Sequence, residues 1–197
     1  MIEAIKGELG ATIQVLQAMQ ADNDLCQRVT DVVELSVAAL QAGNKILFAG
    51  NGGSAADAQH WAGELVSRFN YDRPGLAAIA LTTDTSILTA IGNDYGYDYS
   101  FARQIEALGR EGDVFFALST SGRSKNILRA LTACKERGVK TVGFTGATGG
   151  DMLALCDQCL RIPSTHTPRI QEGHEALGHM ICGLIEQRIF PKTGAPA

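Results

Sequence analysis

The chain has no apolar run of membrane-spanning length, so a transmembrane helix is not expected. It has no basic excess either. Seventeen Lys and Arg stand against 21 Asp and Glu, a formal net charge of −4, with no basic stripe. Nucleic-acid binding by phosphate neutralisation is therefore not expected. The residues before Lys6 form no basic n-region and no apolar h-region follows, so no secretory signal is expected and the default compartment is the cytoplasm. Internal repeats, low-complexity tracts and interdomain linkers are also missing. The five cysteines, at 26, 134, 156, 159 and 182, are odd in number and scattered, which suits reduced core thiols better than a disulfide framework. Cys156 and Cys159 form a C-x-x-C, but there is no second pair for a structural zinc and the motif enters a strand; two buried thiols are expected. No segment matches G-x-x-x-x-G-K-[ST], and none gives G-x-G-x-x-G with a distal acid, which argues against a nucleoside triphosphate or a dinucleotide as ligand.

What is there suits one domain with a sizeable core: 197 residues in all. Ile2, Ile5, Leu9, Leu16 and Met19 follow a three–four spacing and predict a first helix with a narrow apolar seam. Asn23-Asp24 breaks the pattern and predicts the cap of a second helix running to Gly43. The seam has two equal readings, packing on the second helix or on another subunit. From Asn44 onward, apolar strands alternate with helical segments. The strands are expected at Lys45–Ala49, Ala77–Leu81, Asp113–Leu118, Thr141–Thr145 and Gln158–Ile162. The helices are expected at Ser54–Phe69, from Thr85 toward Leu108 with a break near Gly92–Gly96, at Ser124–Arg137, and from about Arg169 to Phe190. This alternation predicts an α/β fold, a three-layer α/β/α arrangement around a five-stranded parallel sheet. The expected division is a helical pair over 1–43, a core over 44–190 and a frayed tail over 191–197.

Open parallel sheets take ligands beyond the carboxyl ends of their strands. Gly50-Asn51-Gly52-Gly53-Ser54 follows the first strand, and Ser119-Thr120-Ser121-Gly122-Arg123-Ser124 follows the third. Both lead into helices, where glycines allow close approach and free N–H groups suit a phosphate. Taken singly, each also reads as an ordinary turn with a Ser N-cap. Thr145-Gly146-Ala147-Thr148-Gly149-Gly150 after the fourth strand is a weaker signal. Glu64 lies roughly 15 Å along an ideal helix from Ser54, longer than a sugar phosphate. The phosphate is therefore placed on Ser119–Ser124, leaving the first loop for hydroxyls, with Ser54 at the side.

His60 and Glu64 stand one helical turn apart, a spacing that suits chelation of Zn²⁺ or a similar ion, and also an exposed pair of no function. The last helix carries Gln171, His174, Glu175 and His179 in an otherwise apolar segment. Buried polar groups need partners, so some of these can meet His60 and Glu64 across a helix contact. Gly173, Gly178 and Gly183 permit the close approach this needs. His179 is the ligand or acid–base candidate, and His174 is expected at the surface. Asn93-Asp94 is explained by turn chemistry, though Asp94 can also take sugar hydroxyls.

These residues carry a resemblance. The Gly50–Ser54 loop, Ala58-Gln59-His60 with Glu64, and Ser119-Thr120-Ser121-Gly122-Arg123-Ser124 resemble the sugar isomerase (SIS) fold, which is flavodoxin-like. Leu88-Thr-Ala-Ile-Gly-Asn-Asp-Tyr-Gly and Arg169-Ile-Gln-Glu-Gly-His with His179 are similar to the phosphoheptose isomerases. The likeness covers nearly the whole chain. It implies interconversion of sedoheptulose 7-phosphate and glycero-manno-heptose 7-phosphate, on the way to nucleotide-activated heptoses and lipopolysaccharide. It also implies a homotetramer with active sites at subunit interfaces, built on the N-terminal seam. By the same resemblance Asn51, Gly52, Gly53, Asn93 and Asp94 contact the sugar, and Ser119, Thr120, Ser121 and Ser124 hold the phosphate. Glu64 and His179 are the catalytic pair, and His60, Glu64, Gln171 and His179 match a zinc-ligand set. Pro168 stands where some branches carry an acid, so any proton transfer by that acid is absent. The rival within the fold is a non-enzymatic protein of the replication-initiator-associating type, which lacks the acid at position 64 and the imidazole at 179.

Overall fold

In the computed structural model, which describes residues 1–192, the strands are β1 (Ile46–Ala49), β2 (Ala78–Ala80), β3 (Val114–Leu118), β4 (Lys140–Thr145) and β5 (Gln158–Arg161). All pair in parallel, in the order β2-β1-β3-β4-β5. Side chains alternate across a strand, and here both faces are covered. Phe48, Phe116, Leu118, Val142 and Phe144 enter one core, while Leu47, Ala49, Phe115 and Ala117 enter the other. Burial on both sides is why these strands read as unbroken apolar runs.

The helices are α1 (Ile2–Ala21), α2 (Asn23–Gln41), α3 (Gly53–Val66), α4 (Thr85–Asp94), α5 (Ala102–Leu108), α6 (Lys125–Arg137) and α7 (Thr167–Ile189). α2, α3 and α7 cover the Phe48 face; α5 and α6, with Leu88 of α4, cover the other. This is the expected three-layer α/β/α fold with two leading helices. Element ends move by one to three residues. The cap of α2 is Asp22, whose carboxylate accepts the Leu25 N–H at 2.9 Å, so Asn23 is already helical instead of capping. The break after Thr85 falls where expected: α4 stops at Asp94, Gly96 takes φ +88°, and a 3-10 turn at Tyr97–Tyr99 leads into α5. The expected tail lies, from residue 193 on, outside the described residues.

The expectation of core thiols needs revision. Cys26 is exposed on α2 and Cys156 and Cys159 are only half-buried; Cys134 and Cys182 are buried, and all five thiols are free. Of the α1 seam only Met19 is buried in the core, while Ile2, Ile5 and Leu9 are more than half exposed, so the first half of the seam does not pack on α2. Among the described residues no helix is long and apolar enough to cross a membrane.

Candidate active site

α3 leaves the carboxyl end of β1, α7 leaves that of β5, and the two run side by side in the same direction. Gly53 meets the Gln171 amide, Trp61 meets Glu175, and Phe69 meets Gly183. The spacing is set by Gly178, whose Cα lies so close under the buried Trp61 ring that no Cβ has room. The far end of α3 is fixed by Arg73. Its guanidinium donates to the carbonyls of Glu64 (2.8 Å), Leu65 (2.6 Å) and Ser67 (3.1 Å), the orphan acceptors of a helix C-terminus. The same side chain pairs with buried Glu186 at 3.1 Å, and Glu186 also accepts the Phe69 and Asn70 N–H groups. Burial alone would raise the Glu186 pKa, but these hydrogen bonds and the Arg73 charge hold it below the usual carboxylate range. Glu64 is thus mounted on a clamped helix end.

On that frame His60, Glu64 and His179 converge. Glu64 Oε1 lies 3.0 Å from His60 Nε2 and 3.2 Å from His179 Nε2, and the two Nε2 atoms are 3.2 Å apart. Glu175 joins them: its Oε1 is 3.1 Å from His179 Nε2 and 3.6 Å from His60 Nε2, and its Oε2 accepts the Trp61 indole N–H at 2.9 Å. A neutral imidazole carries one N–H, and here two Nε2 atoms and carboxylate oxygens crowd one gap. Glu64 Oε2 is buried with no partner. A divalent cation would take the lone pairs of both rings and one carboxylate, so the donor set of His60, Glu64 and His179 fits Zn²⁺. Asp57, one turn before His60, has its carboxyl pushed up to about 6 by burial, with Glu175 adding and His60 opposing.

The loops frame the other end of α3. In the first, Gly52 takes φ +58°, and Ser54 is buried. The Asn51 amide is exchanged reciprocally with Asn126 of α6 (3.0 and 2.8 Å), and the Tyr97 hydroxyl donates to Asn51 Oδ1 at 2.9 Å. In the second, the Ser119 hydroxyl lies 2.8 Å from that of Ser124 and 3.5 Å from that of Ser121. Ser124 is the N-cap of α6 but makes no side-chain cap bond; of the first N–H groups of α6, that of Ile127 donates to Asn126 Oδ1 at 3.0 Å. The weaker β4 loop braces this one, since Gly146 N–H donates to the Thr120 carbonyl at 3.0 Å.

The structure therefore brings His60, Glu64 and His179 together and ties Asn51 to the α6 end of the Ser119–Ser124 loop. It sets Gln171 against Gly53, not against the two histidines. Asn93 and Asp94 bond to each other at 2.8 Å on an exposed helix end. His174 is a correction: it is fully buried, with Nε2 on the Thr145 carbonyl at 3.2 Å, and desolvation lowers its pKa to about 4 against the opposing pull of that bond. Sequence reasoning assigned no role to Glu175, Asn126, Tyr97 or Arg73. Only Glu175 carried a signal, its four-residue spacing from both Gln171 and His179.

A family model for the SIS domain matches residues 11–146. The phosphoheptose isomerase of Aneurinibacillus thermoaerophilus is 58% identical over 190 residues, 96% of each chain. That of Burkholderia pseudomallei is 57% identical over 188 residues, 95% of each. Among solved structures, phosphoheptose isomerase from Neisseria gonorrhoeae superposes with a TM-score of 0.88 at 42% identity, covering 94% of this chain and 98% of that one. The enzyme from Francisella tularensis gives a TM-score of 0.90 at 36% identity with the same coverage. With the His60–Glu64–His179 cluster and the hydroxyl loop in place on this fold, the chain belongs to the phosphoheptose isomerase family of SIS-domain enzymes.

Proposed function

We propose that the enzyme converts D-sedoheptulose 7-phosphate to D-glycero-D-manno-heptose 7-phosphate, the first step toward nucleotide-activated heptose and the heptose of the lipopolysaccharide core. The observation that carries this reading is the meeting of His60, Glu64 and His179 on two helices that rise from the same sheet edge as the hydroxyl loop. Aldose–ketose isomerisation moves a proton between neighbouring carbons through an enediol, and needs a base at carbon and an acid at oxygen. Glu64 carries the carbon proton; His179 protonates oxygen and assists ring opening. Ser119, Thr120, Ser121 and Ser124 hold the phosphate with the first N–H groups of α6. Asn51, Gly52, Gly53, Ser54, Asn93, Asp94 and Gln171 hold the sugar, while Glu64 faces the reacting carbons.

His60, Glu64, Gln171 and His179 would hold one Zn²⁺ per subunit, with the Gln171 amide turned away from Gly53. When bound, the ion supplies Lewis-acid stabilisation of negative charge building on oxygen. As a base Glu64 needs its lone pair, so either its hold on the ion would be loose during turnover or the ion would serve another role.

The protein acts as a single SIS domain over 1–197, in the cytoplasm, as a homotetramer completed at subunit interfaces by the helical pair 1–43. Five free thiols suit a reducing compartment. The exposed α1 seam supports assembly, as does an apolar groove of about 850 Å³ between α1, α2 and α7, lined by Ile13, Leu16, Met19 and Leu184 and bordered by His179.

A coupled assay with sedoheptulose 7-phosphate tests the activity. Turnover is expected, falling with chelator and returning with Zn²⁺. No turnover with or without chelator would favour the partner-binding alternative. Glu64→Gln should lower kcat by roughly 10²–10⁴-fold, the usual share of an acid–base group, and leave sugar-phosphate binding in calorimetry intact. Turnover like that of the unaltered enzyme would sink the role of Glu64.

A further inference from the structure

We propose that Glu175 is a charge-compensating residue of the metal site, its carboxylate anchored beside the ligands by the Trp61 indole. The proposal rests on the zinc reading above. Its geometry is specific. Trp61 is fully buried and wedged on Gly178, so its indole N–H is a fixed donor. That donor takes Glu175 Oε2 at 2.9 Å and leaves Oε1 aimed at His179 Nε2 (3.1 Å) and His60 Nε2 (3.6 Å). The two ligating nitrogens thus have a carboxylate on them besides Glu64. Gln171, one turn earlier on α7, rests instead on Gly53.

Charge balance at the site points the same way. A divalent ion between two neutral imidazoles and the Glu64 carboxylate keeps one uncompensated positive charge. Attraction between opposite charges at 3–4 Å strengthens as water is excluded, and Glu64 and Glu175 side chains are only 13% and 32% exposed. Glu175 neutralises the site. The competing structural role, a plain acceptor for the indole, needs the oxygen but not the charge.

Glu175→Gln separates the two, because an amide oxygen still accepts from Trp61. Metal-stripped protein is titrated with Zn²⁺ against a chromophoric chelator. Glu175→Gln should bind Zn²⁺ about 10–100-fold more weakly, the range for outer residues of metal sites, and Glu175→Asp should recover part of the loss. Glu172→Gln controls for general loss of charge, since that carboxylate is engaged by Arg169 at 2.7 Å, and should bind within about twofold of the unaltered protein. Glu175→Gln binding as tightly as the unaltered protein overturns the proposal while leaving the zinc reading standing. If the unaltered protein takes up no Zn²⁺, or His179→Gln binds equally well, the zinc reading fails and this proposal with it.

Discussion

His174 shows how a single residue couples sequence, burial and pH. A surface position is the ordinary expectation for a lone histidine on a helix. Ile170, Leu177 and Ile181 stand four before, three after and seven after it, and all are buried, so position 174 belongs to the inward stripe of α7. The period carried the better signal than the residue type. The folded form resists protonation, with a pKa near 4, whereas the unfolded chain takes the proton near 6.5. Unfolded chains therefore bind more protons between those values, and stability falls as pH drops from 6.5 to 4. The loss at pH 4 is on the order of 3 kcal/mol. His174→Gln, which can still donate to Thr145, should show a shallower acid loss in urea titrations at pH 7 and pH 4.5. That the hydroxyls of Ser119, Ser121 and Ser124 gather in one place was legible because they lie in one loop. Glu175 was not assigned, because its meaning depends on Trp61 and His60 from another helix.

The strands and helices were legible as elements, since alternation of short apolar runs with three–four patterns depends on neighbours in sequence. Their ends were less so. α3 was expected to reach Phe69 but stops at Val66, where Arg73 takes over the free carbonyls and Glu186 takes the Phe69 N–H. No local pattern announces that exchange, because Glu186 is more than a hundred residues away in the chain. Arg73→Met should cost about 3–5 kcal/mol in chemical denaturation, the penalty for stranding a buried charge. Turnover should fall as well, because Glu64 sits at the released end of α3. A variant as stable as the parent would show that the clamp carries no weight. Because the Glu186 pKa is held down, its contribution is complete above the unfolded carboxylate value and is lost as pH falls through the folded one.

At the scale of the molecule, the protomer leaves Ile2, Ile5, Leu9 and Ile13 more than half exposed along α1. Apolar side chains left exposed along one helix suit a contact with a second copy. Replacing Leu9 and Ile13 together by Glu should reduce the mass seen in light scattering while helical circular dichroism is retained. If sites are completed between copies, turnover falls in the same sample; an unchanged mass would remove α1 from the assembly. The sequence by itself determined the fold class, the two loops after β1 and β3, and the pairing of His60 with Glu64, because each rests on periodicity or on spacing within one element. Only the tertiary structure decided how closely His179 approaches them, that Glu175 faces both rings and that Gln171 rests on Gly53. Those relations are made by the packing of α3 on α7, through Trp61 and Gly178, between segments more than a hundred residues apart. Contacts of that range are fixed by shape and burial in the folded chain, which no local spacing encodes.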